Sequence, residues 1–193
     1  MRIIAGEYRS RRLDAPQGMA TRPTSDRLRE TLFNVLAPRI AGVDFLDLYA
    51  GSGAVGIESV SRGVAQVTFV ERSPAALKVL RANLARLGLT EGFRIHTESV
   101  GSYLRRPRAA AAAGFDVVFL DPPYDAAEEY AAALGLLGGP AAGLLAAGAV
   151  VIAEHRRKQR LEVRYGGLER TRLLEQGDAA LSFYAAGTVA DAE

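Results

Sequence analysis

Asp121-Pro122-Pro123-Tyr124 follows directly on the apolar run Phe115–Leu120. Four residues thus bring together a carboxylate, a free carbonyl and an aromatic ring. The two prolines stiffen the turn, because each fixes φ and removes an amide donor. Asp121 and the Pro122 carbonyl can both accept N–H bonds from one amine. An exocyclic amine on a base ring is a poor nucleophile, since its lone pair is delocalised into the ring. Held by two acceptors, it is oriented and drawn toward the pyramidal form that attacks in line. Tyr124 offers a face for a base to stack on, worth about 1–3 kcal/mol in single-strand sites. Asp121, Pro122, Pro123 and Tyr124 are therefore the candidate catalytic residues. The plainer alternative is a proline-rich turn closed by an aspartate.

A second constellation lies about 70 residues upstream. Asp47-Leu48-Tyr49-Ala50-Gly51-Ser52-Gly53-Ala54-Val55-Gly56 sits where an apolar run gives way to a helical pattern. Glycines serve where a ligand approaches the backbone closely. Glu71 ends the next apolar run, 20 residues after Gly51, and its carboxylate can accept both hydroxyls of a ribose. Gly51-x-Gly53-x-x-Gly56 also matches the dinucleotide fingerprint. That fingerprint sets its first glycine almost on the strand end, so that a pyrophosphate meets the helix N-terminus. Here Asp47 stands four residues ahead of Gly51, where it can bind an ammonium group directly or through water. S-adenosylmethionine has that ammonium and no phosphate, so it is the expected cofactor.

These residues need elements to position them. Thr24-Ser25-Asp26 supplies helix caps, and Leu28, Leu32, Val35 and Leu36 share one face of a helix over 27–36, with Arg27, Arg29 and Glu30 elsewhere on the wheel. Strands are expected at 45–49, 67–71, 93–97, 115–120 and 149–153. Helices are expected at 54–62, at 74–87 (Pro74 in its first turn, Gly88 at its end) and over roughly 126–138. Residues 99–106 read as a short helix or loop, and 138–148 as a loop with a helical turn. Two late segments, about 168–175 and 180–187, flank Gln176-Gly177-Asp178 as an antiparallel hairpin. Strands alternating with helices imply a parallel sheet covered on both faces. The expected fold is α/β, a Rossmann-like, mostly parallel seven-stranded sheet with a C-terminal antiparallel hairpin. A hairpin or irregular arm over 1–16 and the first helix precede it. We divide the chain into a basic arm and helix, 1–40, which binds the partner and covers the cofactor, and a catalytic domain, 41–193.

The chain has 193 residues, 49% of them hydrophobic, which is ample for a packed core. It has no cysteine, excluding disulfides, thiolate metal sites and a cysteine nucleophile, and only two histidines, His96 and His155. No apolar run is long enough to cross a bilayer, and the N-terminus does not read as a signal peptide. The expectation is a cytoplasmic protein without metal or membrane association. The net charge is only +2, but residues 1–40 carry eight Arg against four acids. Positive charge so concentrated suits a polyanion. The excess of Arg over Lys we attribute to genome composition.

With these residues in view, the sequence resembles the bacterial 16S rRNA guanine-N2 methyltransferases of the RsmD type over nearly its whole length. The resemblance is carried by Arg2-Ile3-Ile4-Ala5-Gly6, Arg11-Arg12-Leu13, Arg22-Pro23-Thr24-Ser25-Asp26-Arg27-Leu28-Arg29-Glu30-Thr31-Leu32-Phe33-Asn34, Phe45 to Gly53, Val70-Glu71, Asp121 to Tyr124, and Gly177-Asp178 to Phe183-Tyr184. The stretch from Arg22 to Asp26 is its most specific part; Asp-Pro-Pro-Tyr alone is shared with adenine-N6 enzymes. The resemblance implies a class I methyltransferase that methylates N2 of one guanine, flipped into the cleft. The substrate would be 16S rRNA in a partly assembled or complete small subunit, and the enzyme would act as a monomer. Implied cofactor residues are Thr24, Asp47, Tyr49, Ala50, Gly51, Ser52, Gly53, Glu71, Arg72, Ser99, Val100 and Asp121. Implied RNA contacts are Arg9, Arg11, Arg12, Arg22 and Arg27. Ser99 falls where related enzymes often carry an acid or amide for the adenine amino group. The Val100 backbone, or Glu98 after a one-residue shift, could serve instead. Residues 105–114 look like a local insertion without an assigned role. Two other readings stay open: an adenine-N6 methyltransferase on DNA or RNA, and a non-catalytic RNA-binding factor.

Overall fold

The computed structural model describes residues 1–15, 26–107, 114–123 and 127–186. Helix α1, Asp26–Leu36, puts Leu28, Leu32, Phe33 and Leu36 inward, at the spacing of one helical face, and ends in a 3-10 turn at Ala37–Arg39 that contains Pro38. An alternating series follows: β1 Asp44–Leu48, α2 Ala54–Ser61, β2 Gln66–Val70, α3 Pro74–Arg86, β3 Phe93–His96, α4 Val100–Leu104, β4 Phe115–Leu120, α5 Ala127–Leu137 and β5 Leu145–Arg156. β6 Arg164–Tyr165, β7 Leu168–Gln176 and β8 Ala179–Ala186 complete the chain.

All eight strands form one sheet in the order β3-β2-β1-β4-β5-β8-β7-β6. β1 to β5 are mutually parallel, and β8, β7 and β6 are antiparallel. The expected seven strands and terminal hairpin are present. The two-residue β6 is an addition too short to leave a sequence pattern. β5 starts four residues before the expected 149, inside the Gly/Ala stretch that reads as loop; the 3-10 turn at Ala142–Leu144 supplies the helical turn.

Each sheet face carries a core. One packs α1, α2, α3 and the N-terminal arm on Phe45, Val67, Phe69, Val117, Phe119 and Ile152. The other packs α4 and α5 on Leu46, Leu48, Val70, Val118, Leu120 and Val151. Ile3 and Leu13 of the arm and Leu28, Leu32, Phe33 and Leu36 of α1 belong to the first core, so the arm and α1 share it with the sheet.

Residues 1–13 form an irregular hairpin, bonded Ile3 N to Arg11 O, Ser10 N to Ile3 O and Leu13 N to Met1 O. A buried carboxylate anchors it. Glu58 on α2 accepts the Ile4 and Ala5 amides at 2.8 and 3.0 Å and the Arg62 Nε at 2.9 Å, with the Arg29 Nε 3.7 Å away. Arg29 is fully buried and also pairs with Asp26 at 2.9 Å. The sequence placed it off the apolar face of its helix. The structure turns it inward because Glu58 and Asp26 compensate its charge, without which burial would be prohibitive. Farther along, Asn83 on α3 accepts the Asp14 amide and donates to the Asp14 and Ser52 carbonyls, tying arm, helix and glycine turn together.

Candidate active site

The strand order reverses at β1, with β2 and β3 to one side and β4 and β5 to the other. In such sheets, ligands bind outside the carboxyl ends of the strands at that switch point. A cleft of about 460 Å³ opens there, within the range of small-molecule sites. Its wall includes Asp47, Tyr49, Ala50, Gly51, Ser52, Glu71, Arg72, Ser99, Val100, Asp121, Pro122 and Pro123. Twelve of the expected site residues therefore converge, drawn from the ends of β1, β2, β3 and β4. Thr24, Arg22 and Tyr124 lie outside the described residues.

The glycine turn divides its labour. Tyr49 (φ 61°), Gly51 (φ 57°) and Gly53 (φ 79°) all take the left-handed conformation, which bends the chain sharply between β1 and α2. A Cβ on Gly51 would meet only the Tyr49 carbonyl, at 3.9 Å, so Gly51 keeps backbone open to the cleft. A Cβ on Gly53 would stand 2.2 Å from Leu80 Cδ1, and one on Gly56 2.2 Å from the Phe69 ring. These two glycines serve close helix packing, and Gly53 is not part of the cleft wall.

Asp47 is buried beneath the turn, with Oδ2 accepting the Gly56 amide at 2.9 Å. Burial pushes its pKa up to about 7, and the charge of Glu71 adds to the shift. Glu71 Oε2 accepts the Gly51 amide at 2.8 Å and Oε1 the Ser73 amide at 2.7 Å. A carboxylate has about four lone-pair sites, so each oxygen keeps capacity for a hydroxyl. Ser99 caps α4, its Oγ accepting the Ser102 amide at 3.1 Å. Glu98 also lines the cleft, and Arg106 holds it at 2.9 Å. Arg106, from the stretch given no role, thus steadies a wall residue.

Asp121 takes no hydrogen bond from the described residues. Burial and the charges of Glu154 and Asp47 hold its pKa well above the usual carboxylate range. Carboxyl groups thus crowd the ends of β1, β4 and β5, and a cation brought into the cleft would favour their ionised forms. Two contributors escape sequence reasoning. Glu154 is buried on β5. Glu129, on α5, lines the cleft and accepts the Tyr49 hydroxyl at 2.7 Å. Neither sits in a motif; both become visible only when the strands and α5 are in place.

The donor set, with carboxyl groups at Asp47, Glu71 and Asp121, fits a small molecule with a ribose, an ammonium group and a positive centre. The fold and cleft together define a class I S-adenosylmethionine-dependent methyltransferase. The chain belongs to the family described as conserved hypothetical protein 95, the RsmD family, whose model matches residues 1–185. It is 35% identical to "Putative rRNA methyltransferase YlbH" of Bacillus subtilis, over 95% of this chain and 98% of that protein. It is 42% identical to the ribosomal RNA small subunit methyltransferase D of Escherichia coli, over 64% of this chain and 60% of that one. The solved structure "Putative methyltransferase yhhF from Escherichia coli" superposes with a TM-score of 0.81 at 34% identity, covering 96% of this chain and 97% of that chain.

Proposed function

We propose that this protein transfers a methyl group from S-adenosylmethionine to the exocyclic N2 of one guanine in 16S rRNA, during assembly of the small subunit. It acts in the cytoplasm as a monomer. The observation that carries the reading is the placement of Asp121 and Pro122 in one cleft with Gly51, Glu71 and Asp47. Family membership supports rRNA as the substrate, through the names that the relatives bear.

Asp47 would take the ammonium group, Glu71 the ribose hydroxyls, and Glu98 with the Val100 backbone the adenine. Thr24 would close over the methionine end. Bound S-adenosylmethionine supplies a methyl group on a sulfonium, a good leaving group. Asp121 and the Pro122 carbonyl accept the two N–H bonds of the target amine and aim its lone pair along the carbon–sulfur axis. In the transfer the target nitrogen would gain the methyl group, and the donor would depart as S-adenosylhomocysteine. Nitrogen becomes positive in that step. The Asp121 carboxylate, with its raised proton affinity, stabilises that charge and takes the departing proton, which then passes to water. Most of the rate comes from alignment. Tyr124 stacks on the flipped base, and Arg9, Arg11, Arg12, Arg22 and Arg27 grip phosphates.

The test uses methyl-labelled donor with naked 16S rRNA, assembly intermediates, complete small subunits and duplex DNA, followed by nucleoside analysis. N2-methylguanosine in 16S rRNA is the expected product. Label confined to adenine N6, or to DNA, overturns the reading.

A further inference from the structure

We propose a second RNA-binding element, the turn Arg157-Lys158-Gln159-Arg160, which grips phosphates beyond the carboxyl ends of β4 and β5, beside the cleft. The inference rests on the RNA substrate proposed above.

Residues 156–160 carry four cations and no acid. The cluster is hidden in the net charge, because acids outnumber bases over the remainder of the chain. Arg157, Lys158 and Arg160 are exposed, and none makes an ion pair with the described residues. Arg164 and Arg106, by contrast, are spent on Glu169 and Glu98.

The turn is also held from both ends. The His155 ring, buried, spans Ser182 Oγ and the Arg156 carbonyl at 2.9 Å each. The Arg157 amide donates to the Asp178 carbonyl at 2.8 Å, and the Gln159 amide to the Arg156 carbonyl at 2.9 Å. Beyond the turn, the Leu161 carbonyl accepts Arg170 and the Glu162 carbonyl accepts the Tyr184 hydroxyl. Cations on an anchored turn lose little backbone freedom when they bind.

Position gives the cluster its partner. β4 and β5 run parallel with Leu120 beside Ala153, so Asp121 stands beside Glu154. Arg157 follows three residues later, about 10 Å farther along the strand direction. The turn therefore projects past the same sheet edge that opens the cleft. The β7–β8 turn adjoins it, and Thr31 of α1 reaches that hairpin at Gln176, 3.0 Å away. Arg27, one turn earlier on α1 and exposed, extends the same basic edge. Phosphates flanking a base that enters the cleft would meet Arg27 and the 157–160 turn in addition to the arm.

The experiment replaces Arg157, Lys158 and Arg160 together by Gln and measures binding of transcribed 16S rRNA across a salt series, beside the wild type. The expected result is weaker binding with the slope of log affinity against log salt reduced by about two. S-adenosylhomocysteine affinity reports that the variant is folded and should match the wild type. A companion, Arg157→Lys with Arg160→Lys, keeps the charge and should keep the slope. An unchanged slope in the Gln variant, beside a wild type that methylates rRNA, overturns the second grip alone. Loss of binding in the Lys companion as well also overturns it, since the effect would then not be charge. A wild type that neither binds nor methylates rRNA overturns it together with the proposed function.

Discussion

Asp47 is almost wholly buried, with one oxygen on the Gly56 amide, and burial together with the Glu71 charge brings its pKa up to about 7. An ammonium group placed beside it favours the carboxylate, so binding must expel the proton wherever Asp47 still carries one. Affinity for S-adenosylhomocysteine should therefore be level above pH 7 and weaken as pH falls below it, by at most about tenfold per unit for a single proton. Titration calorimetry across pH 5.5–8.5 would show this. Asp47→Asn should flatten the profile, and methylthioadenosine, which lacks the amino acid moiety, should show no such slope with the wild type. Asp121 makes the opposite case, a carboxyl assigned to the amine rather than the cofactor. Asp121→Ala should lower transfer by about 100- to 1,000-fold or more and leave S-adenosylhomocysteine affinity within a few-fold. Intact turnover would remove its role. Both aspartates were legible in the sequence because each stands in a short motif whose chemistry is local. Glu129 and Glu154 were not, since their relation to the cleft is created by tertiary packing across 80 and 33 residues of chain from Tyr49 and Asp121.

At the scale of elements, the turn between β1 and α2 separates two uses of glycine that one fingerprint conceals. Gly51→Ala places its methyl in open space at the cleft wall. It should cost about 1–2 kcal/mol for the left-handed backbone and weaken cofactor binding more than its stability loss explains. Gly53→Ala meets Leu80 at 2.2 Å in addition to φ 79°. It should destabilise further, by about 1–3 kcal/mol for overpacking, with cofactor affinity in the folded fraction nearly unchanged. Urea unfolding paired with calorimetry distinguishes the two, and equal effects on both readouts would merge the roles. The helices and parallel strands of this region were readable, because apolar runs, Pro74, Gly88 and the Ser73 cap mark their limits. The early start of β5 was not, because Gly and Ala there carry no strand preference of their own and pair only because β4 lies alongside. Arg29 failed for a related reason. A helical wheel assigns charge to water, and only the partners brought in by the fold, Glu58 29 residues away and the Arg2 carbonyl, together with Asp26, make the interior acceptable.

Across the whole molecule, the N-terminal arm is both a proposed phosphate grip and a part of the core, and the two must be tested differently. Ile3 and Leu13 are 1% and 3% exposed, and Glu58, Ser61 and Asn83 together bind the backbone of Ile4, Ala5, Tyr8 and Asp14. Arg9, Arg11 and Arg12 point outward from the same residues. Deleting residues 1–14 would uncover apolar surface and leave Glu58 and Arg29 short of partners. Breaking a buried charge network of this kind costs about 3–5 kcal/mol, and cofactor binding should fall with it because Met1 lines the cleft. Loss of activity in such a truncation would say nothing about RNA. Replacing Arg9, Arg11 and Arg12 by Gln leaves those contacts in place. That variant should unfold within about 0.5 kcal/mol of the wild type, as exposed substitutions do, while its salt slope for rRNA binding drops by about two. Combined with the Gln variant of the 157–160 turn, the slopes should fall additively, because the two basic segments pack on different helices and strands and share no partner. A combined loss no larger than either alone would mean that the RNA uses only one of them at a time.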